Sequence, residues 1–172
     1  MLRRIHLMLL VPVLVLSACG DAGLNAQGLV EVTTTDGTAR RFAFPSQTRL
    51  DGTSPGRFTG TCDLRRMRDA EGNEHWGTIV VIHSGGLAED DFPLTSVTIM
   101  QNTGSAPEGG RMEIALGGAT FTQVDGECTV DMPYALADGV VGLEGTCRVL
   151  DDSNNAADVS FELDLAGCAV EL

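Results

Sequence analysis

Lysine is absent from the 172 residues, so the fixed cations are 11 arginines, set against 24 acidic side chains. A formal charge of −13 repels phosphate backbones, which excludes nucleic acid as a partner. It also disfavours lying flat on an anionic lipid surface. No stretch carries an apolar stripe at helical spacing. No two cysteines form a CxxC pair, which removes the usual redox and zinc motifs. A phosphate-cradling glycine loop and a Gly-x-Ser-x-Gly nucleophile elbow are also missing. Gly85-Gly86, Gly109-Gly110 and Gly117-Gly118 read as turns.

No apolar run is long enough to span a membrane as a helix. The longest, Ile5 to Leu16, is broken by His6 and Pro12, and a spanning helix needs roughly 20 residues. Arg3 and Arg4 precede it and small residues follow, which is the pattern of a secretory signal over residues 1–18. The segment Leu16-Ser17-Ala18-Cys19 resembles the lipobox of bacterial lipoproteins. That resemblance implies cleavage between Ala18 and Cys19, a diacylglycerol on the Cys19 sulfur and usually a further acyl chain on the new amine. Each buried methylene of such an anchor contributes about 0.8 kcal/mol, so several chains hold where one would not. The expected location is the cell envelope, with the membrane as partner through Cys19. Gly20 follows the cysteine and Asp21 comes one position late. By envelope-sorting rules this favours the outer membrane over the inner one in a diderm organism.

Cleavage removes 18 of 172 residues and leaves 154, enough for one domain with its own core. It also removes Arg3 and Arg4, which takes the formal charge from −13 to −15. Seven of the nine remaining arginines lie between Arg40 and Arg68, and the rest of the chain is almost purely anionic. A solvated basic face beside acidic neighbours accounts for that bias. Residues 19–28 read as lipidated terminus and polar tether, and residues 29–172 as a single domain.

That domain reads as strands and turns, hence all-β: an antiparallel sandwich or flattened barrel. Leu29–Thr35 and Ala39–Phe44 flank Asp36-Gly37-Thr38. A three-residue loop there sets Val32 opposite Phe42 and Val30 opposite Phe44, keeping one face apolar. Thr78-Ile79-Val80-Val81-Ile82 is apolar on both faces, as in a central strand. Folding Glu127–Val149 about Ala137-Asp138 brings Cys128 opposite Cys147, within disulfide reach. The same register puts Val130, Met132 and Tyr134 on one face with Gly145, Leu143 and Val141, and pairs Glu127 with Arg148. After Cys19, four cysteines remain, which allow three pairings in an exported domain. Cys128–Cys147 follows from the register and leaves Cys62–Cys168 by elimination. Cys168 has the wrong parity for the inner face of Val159, Phe161, Leu163 and Leu165, and a bulge at Gly167 would correct it.

The segments Phe58-Thr59-Gly60-Thr61-Cys62 and Ser160–Cys168 are similar to those of the small surface-antigen lipoproteins of mycobacteria. The resemblance covers about a third of the domain. It implies an all-β fold and the same Cys62–Cys168 bond. Cys128 and Cys147 depart from the pattern.

Sites for chemistry are sparse. His75 and His83 are about 26 Å apart along a straight strand, too far to share a metal. His83-Ser84 is half of a hydrolase dyad with no triad order around it. The acidic loops Glu89-Asp90-Asp91 and Asp151–Asn155 with Asp158 lack calcium-loop spacing, and turn chemistry accounts for both. Arg65-Arg66-Met67-Arg68 alternates faces and so does not make one phosphate site. No catalytic residue, metal or cofactor is expected. The expected function is a non-enzymatic binding or structural module with an envelope protein or glycan as partner. Two alternatives stand beside it: a carrier of a small apolar ligand, and an enzyme whose site would gather His75, Asp63 and Glu74.

Overall fold

The computed structural model describes residues 23–53, 57–68, 70–84, 94–102 and 110–171. The expected export signal, the expected cleavage bond Ala18–Cys19, the expected acceptor Cys19 and the Glu89-Asp90-Asp91 loop lie outside the described residues. What is described is all-β. The strands are β1 (Asn25–Thr34), β2 (Ala39–Arg49), β3 (Thr59–Arg68), β4 (Glu74–His83) and β5 (Leu94–Asn102). They continue as β6 (Arg111–Leu116), β7 (Ala119–Leu136), β8 (Val140–Leu150), β9 (Ala156–Ala166) and β10 (Ala169–Glu171).

All ten belong to one sheet, ordered β10-β3-β4-β5-β6-β7-β8-β9-β1-β2. Neighbours are antiparallel except β10 with β3. β10 follows β9 in the chain yet pairs at the far edge, so the sheet curls until that edge meets the end of β9. A bridge between Asp51 and Thr59 links the chain after β2 to the start of β3. The result is a curled open sheet, a flattened barrel with one inner face. Val30, Leu64, Val80, Ile82, Ile99, Ile114, Val130, Val141 and Val149 occupy that face at 0% exposure. Each such side chain contributes roughly 1.5–3 kcal/mol of burial.

Two disulfides close the structure. Cys62 in β3 is bonded to Cys168, and Cys128 in β7 to Cys147 directly opposite in β8. Cys168 reaches the inner face by a break, not by a bulge inside a continuing ladder. β9 stops at Ala166, Gly167 adopts φ +89°, and both the Gly167 and Cys168 N–H groups donate to the Gly139 carbonyl. Gly139 itself sits at φ +84°, and a Cβ there would lie 2.5 Å from the Cys168 carbonyl oxygen. Only glycine fits this junction.

Four expectations need correction. First, β1 begins at Asn25, so residues 25–28 are paired sheet and not tether. Ala26 is buried, and an irregularity between Ala26 and Gly28 lets the strand continue across what reads as a polar linker. Second, the first hairpin keeps a three-residue loop but turns one residue earlier. Val30 faces Phe42 and Val32 faces Arg40, around the loop Thr35-Asp36-Gly37. The slip is two residues, so the apolar face is unchanged. Third, Tyr134 lies opposite Gly142 and is exposed, because the register shifts between Asp131 and Tyr134. Pro133 sits in that gap with no N–H to give to the ladder. Fourth, β4 is central but buried on one face only. Ile79 lies opposite Met100 on the outer face, 41% and 36% exposed.

β7 is one 18-residue strand that begins at Ala119, eight residues before the Glu127–Val149 hairpin that the sequence outlines. Its ladder with β8 is interrupted between Gln123 and Cys128, where Gly126 has φ +77°. Polar side chains serve backbone groups around it. Gln123 Oε1 accepts the Met112 N–H at 2.7 Å, and buried Gln101 donates to the Val130 carbonyl.

Candidate binding cleft at the end of the sheet

Strand parity decides which arginines face inward. In β2, Phe42 and Phe44 point to the core while Ala39, Arg41 and Ala43 are exposed, so Arg40 belongs to the inner set. Its cross-strand neighbour Val32 is 1% exposed. Arg41, on the outer face, pairs with Glu31 at 2.5 Å. Arg40 makes no ion pair among the described residues. Its Nε is buried with no hydrogen-bond partner. An unsatisfied buried donor costs about 1–3 kcal/mol, and more when charged.

Arg40 lines a cleft of about 540 Å³ at the end of the sheet. Three chain reversals build it: the β1–β2 turn, the β6–β7 turn and the β8–β9 loop. Its floor is apolar, made by Val32, Leu116, Phe121 and Ala156. The rim carries Asp36 and Asp151, and both carboxylates are already engaged. Asp36 Oδ1 accepts the Thr34 hydroxyl at 2.6 Å and the Thr38 N–H at 2.9 Å. Asp151 Oδ1 accepts the N–H groups of Ser153 and Asn155 at 2.8 Å, and its Oδ2 accepts the Asn155 side-chain amide at 2.7 Å. The Thr34 hydroxyl foremost lowers the Asp36 pKa, and the Asn155 amide foremost lowers that of Asp151. Both are therefore ionised and fixed by their own turns.

The opposite case lies at the β3–β4 hairpin. Arg66 and Arg68 share the parity of buried Leu64, and both pair with Glu74, Arg68 at 2.8 Å. Arg66 also sits 5.9 Å from the centre of the Trp76 ring. These cations are satisfied by neighbours on their own hairpin. Arg65 faces outward and pairs with Glu171 at 3.1 Å.

The sequence-level candidates scatter. His75 pairs with Met67 and His83 with Thr59, near opposite ends of β4. Asp63 lies opposite Ile79, four rungs from the His75–Met67 pair, and Glu74 is held by the two arginines. Among the described residues, the clefts at the sheet's ends and face are lined by none of His75, Asp63 and Glu74. Among the described residues, no three His, Cys, Asp or Glu side chains cluster as metal ligands would. Asp158 stands opposite Arg148 in the β8–β9 ladder, outside the turn that Asp151 organises. Glu127 and Arg148 approach to 3.7 Å.

Sequence reasoning missed Arg40. The signal was present: an arginine at the inward parity of a strand whose next two inward residues are Phe42 and Phe44. Missing was the knowledge that turns some 80 and 115 residues downstream close around it.

Comparison with protein-family models, with curated proteins and with solved structures finds no match for this chain.

Proposed function

We propose that this chain is a lipid-anchored envelope protein whose β-domain is a non-enzymatic binding module, with the end cleft as its contact site. The lipobox resemblance at Leu16–Cys19 supports the anchor, and Gly20 after the cysteine favours the outer membrane where two membranes exist. The observation that carries the binding reading is the position and content of the cleft. β1 runs ten residues from the end of the tether, at Asn25, to the cleft wall at Thr34, a span of about 30 Å. Anchoring at Cys19 therefore puts the tether at one end of β1 and the cleft at the other. Tethering confines the domain to a plane and raises its effective concentration against neighbours there.

A second reading, a carrier of a small ligand, is favoured by the apolar floor of Val32, Leu116 and Phe121. The volume of about 540 Å³ falls within the range of small-molecule sites, roughly 300–1,000 Å³. In both readings the acyl groups on Cys19 anchor the domain. An intact mass spectrum of protein extracted from its own membranes tests this. A chain that begins at an acylated Cys19 and lacks four hydrogens for two disulfides supports it. A chain that retains residues 1–18 contradicts it.

A further inference from the structure

We propose that the cleft receives a single-headed amphipathic anion, with a carboxylate on Arg40 and an apolar chain along the floor. The inference rests on the cleft being the contact site, and it names the ligand class. Three observations converge. Arg40 lines the cleft, its Nε is buried without a hydrogen-bond partner, and no described side chain forms an ion pair with it, so its charge is left uncompensated. An arginine guanidinium presents N–H groups in parallel pairs, the two terminal nitrogens among them, which match the two oxygens of a carboxylate. Beside it, Val32, Leu116 and Phe121 offer an apolar floor, while the rim groups Thr34, Asp36, Asp151 and Asn155 are engaged within their own turns.

The rim then sets the charge. Asp36 and Asp151 are ionised and locked in their turns, so they repel each negative charge on the ligand, and Arg40 offsets only one. A monoanion with an apolar tail satisfies Arg40 at less electrostatic cost than a dianionic phosphate. Arg40 acts here as a binding residue and needs no proton transfer.

The test uses the full-length protein in phospholipid nanodiscs, with empty discs as blank, and calorimetric titration at neutral pH. The probes are decanoate, decanol and inorganic phosphate. Saturable one-to-one binding of decanoate is expected, at least tenfold tighter than decanol, with no binding of phosphate. Arg40→Gln should weaken decanoate at least tenfold and leave decanol unchanged, with thermal unfolding checked in parallel. Thr35→Trp, a change at the exposed rim, should block both amphiphiles. Equal affinity for decanoate and decanol, both abolished by Thr35→Trp, would overturn the anion assignment and leave the cleft reading standing. Decanoate binding untouched by Thr35→Trp overturns the cleft reading as well. Absence of decanoate binding, or phosphate binding that depends on Arg40, overturns the ligand class.

Discussion

Cys62 and Cys168 are bonded with their Cα atoms 4.7 Å apart, although 106 residues separate them in sequence. The bond fastens β3 to the point where β9 breaks and re-pairs as β10, so it clamps the curl of the sheet. Closing a loop of that size contributes about 4–5 kcal/mol in the chain-entropy model, against about 3 kcal/mol for the 19-residue separation of Cys128 and Cys147. Replacing each pair by alanines and unfolding in urea should show the larger loss for Cys62 and Cys168. The reverse order would mean that the curl does not depend on this clamp.

Tyr134 is the one tyrosine of the chain, so phenolate absorbance reads it alone. Desolvation, then the hydrogen bond and negative charge of Asp164, push its pKa up to about 12. A raised value in the fold means that the linked stability is complete below about pH 10 and is lost as pH climbs through about 12. Asp164→Ala should lower the midpoint while leaving it above that of the unfolded chain, because desolvation is the larger cause. A midpoint near 10 in the native protein would show that Tyr134 is not held against Asp164.

Acid should act through the turns. Asp36 and Asp151 have depressed pKa values, so their contribution holds above the ordinary carboxylate value and fades as pH falls through the lowered ones. Asp151→Asn should therefore flatten the fall in thermal midpoint below about pH 4. An unaltered acid limb would place the pH-sensitive groups elsewhere.

Close approach between strands gives a sharper test. A Cβ on Gly145 would lie 2.1 Å from the Thr129 carbonyl oxygen and 2.8 Å from the Phe161 ring. Neither can move without disturbing the β7–β8–β9 ladder, so Gly145→Ala should cost about 3 kcal/mol or more. Gly37→Ala, with nothing within 4 Å of the added carbon, should cost only the left-handed strain of about 1–2 kcal/mol. Equal losses in urea unfolding would contradict the packing described around Gly145.

Strand existence and both disulfides were legible, Cys128–Cys147 from local alternation and Cys62–Cys168 by elimination. The pairing of Cys128 with Cys147 needed only a hairpin and a two-residue period, and Thr129 opposite Thr146 followed with it. The same reasoning failed four residues later, where Pro133 interrupts the ladder and sends Tyr134 outward. It failed again at Gly167, since a strand that ends and re-pairs across the sheet leaves no periodic trace. The cleft was beyond reach for a related reason. Arg40 could be placed on the inner face by parity, but its surroundings come from Phe121 and Asp151, which only the curl of the sheet brings near.

The central claim is that Arg40, in the end cleft, holds a ligand. Native mass spectra of wild type and Arg40→Gln, each extracted gently from its own membranes, test it most directly. The account predicts a reproducible small-molecule adduct on the acylated wild-type chain and its loss from Arg40→Gln, with both disulfides intact in each. An adduct of the same mass and occupancy on both proteins, or none on either, would contradict it.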